Sequence, residues 1–451
     1  MDDSRRDLLF PAVEGRDVVA RFDGGDLTSD AGLVLVRQAD RRVGLTQALA
    51  DAITDRRQQS KVAHQKETLV RERVFAIVQG YEDANDLDSL REDPVLKAAC
   101  EQRPEEAGVL GSQPTMSRLE NAVRRADVYR MGFALARCVV GQLPEHTRTV
   151  VMDVDATEDP CHGQQEFKEF NAYYDSHCYL PLQVYVTGPD GVQRVAVSLL
   201  RPGKASYEDG LFGVLRRLTG LLRARFPGVR VILRADSGFG NAKVLAFCHA
   251  HKLSYVLCVA GNRRLHALST AVQMDSAVKH TSRFCDTPEY AQVRYKAGTW
   301  AKRERVVVKV EVTVDKLHPS KPKLNPRYIV TDLQGGPQAV YAFYCARGDR
   351  ENRIKESKLD LYSGRTSCHR FLANQCRLTW HTGAQVLVQA LQEAASGTRW
   401  AKAQAGTLRV RLLKVAARVV TSCRRIWLHL PTCYPEQDVW RRIHDRLCAG
   451  P

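Results

Sequence analysis

Two apolar runs of the sequence end in aspartates. The run "TRTVVMDVDATEDP" carries Asp153 and Asp155, and "VRVILRADSGFG" carries Asp236. Side chains alternate along a strand, so Asp153 and Asp155 share one face, and either could be the acid at the strand end. Carboxylates at the ends of neighbouring strands can bridge two divalent ions, and oxygen ligands favour Mg²⁺ or Mn²⁺. Because a strand-terminal aspartate also commonly starts a turn or caps a helix, each acid alone decides little.

A third acid lies among cations in the run "YCARGDRENRIKESK". On a single α-helix with 100° per residue, four side chains fall on one polar stripe about 60° wide: Tyr344, Arg347, Glu351 and Lys358. Glu356 falls about 140° from Glu351 and cannot share that face. A carboxylate between an arginine and a lysine is suited to a metal ligand flanked by phosphate-binding cations. A solvated face of ion pairs one helical turn apart is the alternative.

Composition and charge narrow the function classes. At 451 residues, with 44% hydrophobic and 26% charged residues, the chain is expected to be a globular protein of two or three domains. It has no run near the roughly 18 apolar residues of a membrane span and no secretory signal pattern, so a cytoplasmic location is expected. The thirteen scattered cysteines include no C-x-x-C pair and are expected to be reduced. A formal net charge of +16 indicates an anionic partner, for which nucleic acid is the best candidate.

The first third of the chain, from Ser29 to about Leu143, has a helical pattern. Within it, "GSQPTMSRLENAVRRADVYRMGFALARCVV" predicts one long helix, with Pro114 in its first turn and a capping box of Ser117 and Glu120. Its first turns carry side chains of the kind that a groove-reading helix directs at bases and phosphates: Gln113, Thr115, Ser117, Arg118, Asn121, Arg124 and Arg125. A well-capped surface helix of a bundle is an equally good interpretation.

From Arg148 the pattern changes to strands. Three β-rich runs, "TVVMDVDAT", "CYLPLQVYVTG" and "VQRVAVSLLRPG", are predicted to be consecutive antiparallel strands. A helix, a strand, a helix and a strand follow, up to "LSYVLCVA". This is the element order of an α/β fold with an RNase H-like mixed sheet and flanking helices.

The remaining patterns define the predicted domain organisation. Alternating β runs between about Gly261 and Gly335 predict an inserted β subdomain ahead of the helix with Glu351, and the basic run "TLRVRLLKVAARVVTSCRRIWLHL" is predicted to be β-like. The predicted segments are 1–146 (all-α, DNA-binding), 147–260 (first part of the catalytic core), 261–337 (inserted β subdomain), 338–400 (core region with the Glu351 helix) and 401–451 (basic C-terminal region).

Together these motifs resemble those of DDE transposases from bacterial insertion sequences. The spacing Y-x2-R-x3-E-x6-K from Tyr344 to Lys358 is similar to the Tyr-Arg-Glu-Lys signature of one branch of that family, the transposase DDE domain of group one. The D-x-T of Asp155 to Thr157 and "LRADSGFG" resemble its first and second motifs. Also similar to a subgroup are "ATEDPCHGQQ", "YYDSHCYLPL", "SQPTMSRLEN" and "RTSCHRFLANQ", so the resemblance extends from about Gly25 to the C-terminus.

The resemblance implies a role for each matching residue. The three acids Asp155, Asp236 and Glu351 would bind two Mg²⁺ (or Mn²⁺) ions, with Asp153 as a rival for the first position. The signature residues Tyr344, Arg347 and Lys358 would contact phosphates of the transposon end. Two further acids near the first motif, Asp159 and Glu166, are expected to be turn or surface residues.

The resemblance also implies that an aromatic residue of the inserted subdomain stacks a flipped base. Trp300 is the candidate, because Lys302, Arg303 and Arg305 beside it could contact phosphates. A tryptophan packed under a hairpin is the alternative.

The implied activity is cut-and-paste transposition. A homodimer assembled on double-stranded DNA would bind the terminal inverted repeats and the target DNA. It would cleave the element's ends, and the freed 3′-OH would then attack another phosphodiester. The expected location is the cytoplasm of a bacterium, at its nucleoid. Two alternatives stay open: a stand-alone RNase H-like nuclease, and an inactive relic that acts as a sequence-specific DNA-binding protein.

Overall fold

A computed structural model of the protein describes residues 7–283, 288–315 and 318–449. In these ranges the chain is a mixed α/β protein with a large mixed sheet and 16 α-helices. Contacts divide the chain into two compact units: unit 1 is Met1–Val123, Asp360–Tyr362 and Gly383–Pro451, and unit 2 is Arg124–Leu359 and Ser363–Thr382. Both ends of the chain thus belong to unit 1. The four borders between the five predicted segments stay predictions.

The N-terminal part of unit 1 has three strands followed by six helices. They are β1 (Leu8–Val13), β2 (Arg16–Ala20), β3 (Leu27–Thr28), α1 (Leu33–Val43), α2 (Leu45–Asp51), α3 (Lys66–Gln79), α4 (Leu87–Leu90), α5 (Pro94–Ala99) and α6 (Gln113–Ala122). Helix α3 is buried from Thr68 to Gln79 except at Arg71, and burial raises the pKa of its Glu72 to about 8. The helical pattern expected from Ser29 onwards is confirmed. The all-α prediction for 1–146 is wrong for the residues before Ser29, where β1 and β2 pair as an antiparallel hairpin.

The single long helix predicted to begin at Gln113 is wrong. Helix α6 ends at Ala122, and a second helix, α7 (Arg125–Gly141), begins three residues later, in unit 2. Between them the backbone of Arg124 is extended, with ψ of 167°. The Asp127 carboxylate accepts a hydrogen bond from the Arg124 N–H at 2.9 Å, which satisfies a free donor at the start of α7.

Unit 2 is built on the large sheet. After α7 its elements are β4 (Thr149–Ala156), β5 (Asp159–Pro160), β6 (Glu169–Asn171), β7 (Ser176–Tyr179), β8 (Leu182–Thr187), β9 (Gln193–Leu199), α8 (Leu211–Arg225), β10 (Arg230–Ala235), α9 (Ala242–Ala250), β11 (Ser254–Val259), α10 (Arg263–Leu268), α11 (Thr270–Arg283), β12 (Glu289–Tyr295), β13 (Glu304–Asp315), β14 (His318–Thr331), α12 (Pro337–Cys345) and α13 (Gly348–Leu359). Eight strands lie side by side in the order β12-β13-β14-β11-β10-β4-β8-β9, and a small sheet has the order β5-β7-β6.

The predicted order of elements in the first part of the sheet is confirmed. Strand β8 is antiparallel to both β4 and β9. Strands β4, β10 and β11 are parallel, and helices α8 and α9 precede the second and third of them. A parallel pair needs a long crossover, which explains why helices appear where the strands become parallel.

The strands predicted to form an inserted subdomain instead continue the large sheet. Strand β14 pairs antiparallel with β11, where Val256 faces Thr331, and β13 pairs with β14. The run of valines at the start of β13 is buried at consecutive positions, as in a strand covered on both faces. Val307 and Ile329 join Ile232 and Val256 in one core cluster, so these strands share the core of the predicted catalytic part.

The C-terminal elements are helices and a small sheet. They are α14 (Phe371–Ala394), α15 (Ala405–Leu408), β15 (Ala417–Ser422), β16 (Arg425–His429) and α16 (Gln437–Cys448). The prediction of β structure is wrong for Thr407 to Leu413, where α15 continues into a π-helical turn, and is confirmed for β15 and β16. Arg409 is the first residue of this turn; its side chain is buried in unit 1, and its Nε donates to the Val78 carbonyl at 2.9 Å.

Two sequence-based expectations concern the chain as a whole. Within the three described ranges, no helix combines the length and the apolar character needed to cross a bilayer. The twelve cysteines in those ranges are free, and the thirteenth, Cys285, lies outside the described residues.

Candidate active site

Asp155 and Asp236 lie at the same edge of the large sheet. Strands β4 and β10 are parallel neighbours, with Val154 paired to Ala235. Asp155 follows Val154 in β4, and Asp236 follows Ala235 as the first residue after β10. The two acids therefore lie side by side, one residue beyond this pair. Both are partly exposed. The carboxyl ends of the parallel strands therefore present two carboxylates at one accessible edge, the acid edge.

Asp153, the rival for the first position, is committed to an ion pair inside the protein. It is fully buried, and Arg234 on β10 binds both of its oxygens, with Nε to Oδ1 at 2.6 Å and Nη2 to Oδ2 at 2.8 Å. Gln193 Nε2 adds a third bond at 3.0 Å. Because both oxygens of Asp153 already accept hydrogen bonds inside the protein, Asp155 is the better candidate for a metal ligand at the acid edge.

Two glycines of "DSGFG" allow the tight turn that follows Asp236. The Gly238 N–H donates to Asp236 Oδ1 at 3.0 Å and fixes that carboxylate. A Cβ at Gly238 would lie 2.1 Å from Cε1 of Tyr207, and one at Gly240 would lie 1.9 Å from the carbonyl oxygen of Cys258 in β11. The motif needs glycine at both positions because a tyrosine ring and a strand backbone fill the space.

Arg347 lies beside the acid edge, in the turn between two helices. Its Nη2 is 3.7 Å from Asp236 Oδ2, and its Nη1 donates to Tyr344 Oη at 2.7 Å. Burial opposes the charged form, but Tyr344, Asp236 and Asp155 together raise the pKa of Arg347 above its usual value. Two of the residues of the signature, Tyr344 and Arg347, are therefore brought to Asp236.

The prediction that the signature lies on one continuous helix is wrong. Tyr344 belongs to α12, whereas Glu351 and Lys358 belong to α13, and Ala346 and Arg347 form a turn between them. The angles of a single helical wheel therefore do not apply across this turn. Gly348, the first residue of α13, was the sequence signal that favoured a break.

Glu351 is exposed on α13. In the described part of the chain, no group of three or more His, Cys, Asp or Glu side chains is placed to hold a metal ion. The structure thus brings Asp155 and Asp236 to one edge without adding Glu351 to them as a three-acid cluster. Glu356 is buried and pairs with Arg353 at 2.6 Å, consistent with its prediction for a face different from that of Glu351.

Lys358 lies beside the segment that follows β4. Its Nζ donates to the carbonyl oxygen of Glu158. Burial lowers the pKa of Lys358, and the nearby Asp159, Glu158 and Asp155 partly offset that effect. The structure therefore places the ammonium group close to the chain segment that carries the first acid.

Asp159 differs from its predicted role as a turn or surface residue. It is 2% exposed, in β5, and accepts a hydrogen bond from Thr366 Oγ1 at 2.9 Å. Burial raises the pKa of Asp159 to about 7, and Thr366 and Lys358 counteract part of the rise. Glu166 is exposed, as predicted, and accepts a hydrogen bond from the Phe371 N–H at the start of α14.

Three tyrosines near the acids were not assigned a role from the sequence. Burial first, then Asp236, Tyr173 and Asp155, raise the pKa of Tyr207. Burial, Tyr207 and Tyr173 likewise raise the pKa of Tyr174 to about 12. Asp155 contributes to the raised pKa of both Tyr207 and Tyr174, so these two rings border the acid edge. The adjacent tyrosines in "NAYYDS" were the available signal.

Comparison with known proteins shows the family to which this chain belongs. The profile of the transposase DDE domain group 1 matches residues 10–450. The chain belongs to this family. The cryo-EM structure of a piggyBac transposase synaptic complex with hairpin DNA is similar at a TM-score of 0.41 and 12% identity, over 86% of this chain and 80% of that chain. A search of curated proteins finds no significant match.

Trp300 of this DDE transposase is covered by protein. It lies between β12 and β13, is 7% exposed, and meets the ring of Tyr295 edge-on with 5.3 Å between centroids. Lys302 and Arg303 nearby are exposed. A covered indole offers no face to a base, so the position of Trp300 favours the packing interpretation.

The residues predicted to read DNA lie on α6 and around the start of α7. Four are partly buried (Gln113, Thr115, Ser117 and Asn121) and three are exposed (Arg118, Arg124 and Arg125). Arg118 Nη2 donates to Thr115 Oγ1 at 3.0 Å, and Asn121 Nδ2 donates to the Ser117 carbonyl at 2.9 Å. Some of these donors are therefore used within α6, and their role in this transposase stays a prediction.

The capping box predicted at Ser117 and Glu120 is wrong. Ser112 is the N-cap of α6, and Pro114 lies in the first turn as predicted. Glu120 is fully buried, with its Oε1 4.0 Å from Nε of Arg73 in unit 1. The acid is held by the interior of the unit and does not cap the helix.

Proposed function

We propose that this transposase moves a bacterial insertion sequence by cut-and-paste transposition, binding the terminal inverted repeats of the element and a target DNA. The observation that carries the proposal is the acid edge, where Asp155 and Asp236 end neighbouring parallel strands and Arg347 lies 3.7 Å from Asp236. The three antiparallel strands followed by two helix–strand units support an RNase H-like assignment for this sheet.

The donors at the acid edge fit two Mg²⁺ or Mn²⁺ ions. Asp155 and Asp236 are partly exposed and offer carboxylate oxygens, which hard divalent ions prefer, whereas Asp153 is held in a buried ion pair. We assign Glu351 as the third acid because it is an exposed carboxylate in the first turn of α13, directly after the turn that holds Arg347. When bound, the ions supply activation of the attacking water or 3′-OH and stabilisation of the leaving oxygen.

Arg347 and Lys358 serve as phosphate-binding cations in this proposal. Arg347 is partly exposed, and its Nη2 lies 3.7 Å from Asp236 Oδ2, so the guanidinium is placed to bind a phosphate oxygen held at the acid edge. Tyr344 orients that guanidinium through the 2.7 Å bond to Nη1. Lys358, partly desolvated beside the first acid, supplies a second positive charge to the same strand of DNA.

The DNA partner and the assembly complete the proposal. The net charge of +16 and the exposed arginines Arg118, Arg124 and Arg125 support contact with duplex DNA. Two ends must be cut for one excision, and a homodimer on DNA provides two acid edges.

Cleavage of a labelled duplex that carries the terminal inverted repeat flanking this coding sequence tests the proposal. The wild type, Glu351→Gln and the control Glu145→Gln, an exposed glutamate of the same unit, are compared with Mg²⁺ and with EDTA. We expect metal-dependent nicking by the wild type and by Glu145→Gln. Glu351→Gln should bind the end normally and cut at least 100-fold more slowly, because it loses a charged ligand.

Other results would select the alternatives. Tight binding of the end without cutting in Mg²⁺ or Mn²⁺ would identify a DNA-binding relic. Metal-dependent cutting of any duplex, with no joining of the 3′-OH to a second DNA, would identify a stand-alone nuclease. Equal cutting by Glu351→Gln and wild type would remove Glu351 from the metal site.

A further inference from the structure

A cleft of about 1000 Å³ opens where the strands of the large sheet have their other ends, away from the acid edge. Its wall includes Ser254 and Tyr255 at the start of β11, the end of β14 and the start of β13. Ser254 pairs with Ile232 of the parallel strand β10, four residues before Asp236. At roughly 3.3 Å per strand residue, the cleft is about 13 Å from the acid edge along the strands. It is therefore a separate feature of unit 2, called here the basic cleft.

Positive charge dominates the lining of the basic cleft. Its basic residues are Lys252, Arg294, Lys302, Arg303 and Arg305. The exposed side chains of Lys252, Arg294 and Arg303 make no hydrogen bond or ion pair with any residue that the structure describes. Lys302 is 62% exposed, and its nearest carboxylate oxygen is 3.9 Å away. Four cations thus face solvent with little internal compensation.

The acids of the lining are bound by the protein itself. Buried Glu304 accepts a hydrogen bond from Tyr255 Oη at 2.7 Å, and His249 Nε2 lies 3.2 Å from its other oxygen. Asp332 Oδ1 accepts the Tyr255 N–H at 2.8 Å. These carboxylates hold the wall together, so the exposed cations remain available to an external anion.

The side chain of Arg305, unlike those of the exposed cations, is hydrogen-bonded within the protein. It donates to the carbonyl oxygens of Leu333 and Gly335 and, at 2.9 Å, to Gln292 Oε1. These bonds fix the segment after β14 against β12 and β13 as one side of the cleft. The shape of the basic cleft is therefore set by internal bonds and does not depend on a ligand.

We propose that the basic cleft binds the phosphodiester backbone of a second DNA duplex, one that is not being cut at the acid edge. The identity of the ligand rests on the proposed function. The cations come from separate elements, Lys252 after α9, Arg294 on β12 and Arg303 before β13, so several positive charges line one opening, where a phosphate backbone could bind. The lining contains no tryptophan or phenylalanine, and Tyr255 is buried, so the described lining has no exposed face of that kind to stack a base.

The test compares two charge-matched double variants. Lys252→Glu with Arg294→Glu alters the cleft, and Arg103→Glu with Arg441→Glu alters arginines of unit 1 that are 76% and 68% exposed. Each pair removes two positive and adds two negative charges, so the formal net charge falls from +16 to +12 in both. The protein is first saturated with an unlabelled duplex carrying the inverted repeat. Uptake of a labelled 20-base-pair duplex without the repeat is then followed by fluorescence anisotropy over a range of NaCl concentrations.

We expect the wild type and the unit 1 variant to take up the second duplex with similar affinity. The cleft variant should bind it at least tenfold more weakly, and its salt slope should be shallower by about 2, because two phosphate contacts are lost. Cleavage of the inverted repeat should stay within threefold of wild type, since the acid edge is unchanged.

Three results would overturn the inference. They are failure of the wild type to bind a second duplex, equal weakening in both variants, and binding of ATP by calorimetry that only the cleft variant loses while duplex uptake is unchanged. The last result would assign the cleft to a free nucleotide. If the wild type neither binds nor cuts the inverted repeat, the proposed function fails, yet a Lys252- and Arg294-dependent affinity for the labelled duplex alone would still support the cleft.

Discussion

Arg234 and Asp153 form a buried ion pair, each two residues before the acid at the end of its strand. The guanidinium spans both oxygens of Asp153 and also donates to the Phe343 carbonyl of α12. One arginine thus ties together the two strands that carry Asp155 and Asp236 and the helix that precedes Arg347. The pair positions the acid edge from inside the sheet.

Replacement of Arg234 by methionine should destabilise unit 2 by about 3–5 kcal/mol, because it leaves the Asp153 charge buried without its partner. Urea unfolding measures the change. Arg230→Met on the same strand is the control, since Arg230 is exposed and its side chain donates to Ser254 Oγ at 3.1 Å. The double variant Asp153→Leu with Arg234→Met should recover most of the loss. Equal midpoints for Arg234→Met and Arg230→Met would show that the pair does not stabilise the sheet.

Arg347→Lys should slow DNA cleavage by roughly 10- to 100-fold, because a charge-assisted hydrogen bond worth about 1.5–3 kcal/mol is lost with the guanidinium fork. Affinity for the uncut end should change less than threefold, as the positive charge remains. Single-turnover cleavage and anisotropy separate the two effects. Arg353→Lys, which alters the arginine paired with Glu356 at 2.6 Å, is the control. Unchanged single-turnover rates in Arg347→Lys would exclude Arg347 from the reaction.

Asp159 should make stability depend on pH. Burial raises the pKa of this carboxyl from 3.8 to about 7, so between these values the native state holds a proton that the unfolded chain releases. Stability is therefore greatest below pH 4 for this group and falls as pH rises to 7, by up to about 4 kcal/mol. Asp159→Asn should reduce the loss between pH 5 and pH 8 in urea unfolding. The exposed Asp175→Asn should keep the wild-type dependence, and an identical profile for Asp159→Asn would contradict the assignment.

Gly240→Ala should destabilise the protein by more than about 2 kcal/mol, since its Cβ would lie 1.9 Å from the Cys258 carbonyl oxygen, a backbone atom of β11. Gly220→Ala in α8 is the matched control. No atom lies within 4 Å of a Cβ there, so helix propensity predicts a gain of up to about 1 kcal/mol. Thermal unfolding of the two variants gives the comparison. A stable Gly240→Ala protein would show that the turn after Asp236 can move away from β11.

The sequence predicted the strands and helices of the large sheet well because their patterns are strong. The apolar runs of β4, β10 and β11 end where turn residues begin, and α8 ends at the Pro227–Gly228 turn. The choice between Asp153 and Asp155 could not be made from the sequence. Alternation puts both acids on one face, and only the position of Arg234 on the neighbouring strand distinguishes the bound acid from the accessible one.

The helix breaks were harder to predict, for a physical reason. Neither Val123 nor Arg124 forbids helix, so the pattern of apolar residues continued through the break, and only Asp127 at the third position of α7 signalled a new start. The same limitation hid the turn at Ala346 and Arg347. Burial of a charged residue such as Asp159 depends on Thr366 and Lys358, which are distant in the chain, and local sequence does not reveal such partners.

The two-residue joint between α12 and α13 also bears on how fast the two helices could move relative to each other. Only four backbone dihedral angles, at Ala346 and Arg347, separate the helix anchored by Arg234 from the helix that carries Glu351. Fixing two residues costs on the order of 2–4 kcal/mol. Hinge motions of this size take microseconds to milliseconds. A movement of Glu351 toward the strand ends would therefore be faster than a typical enzymatic turnover of about ten per second.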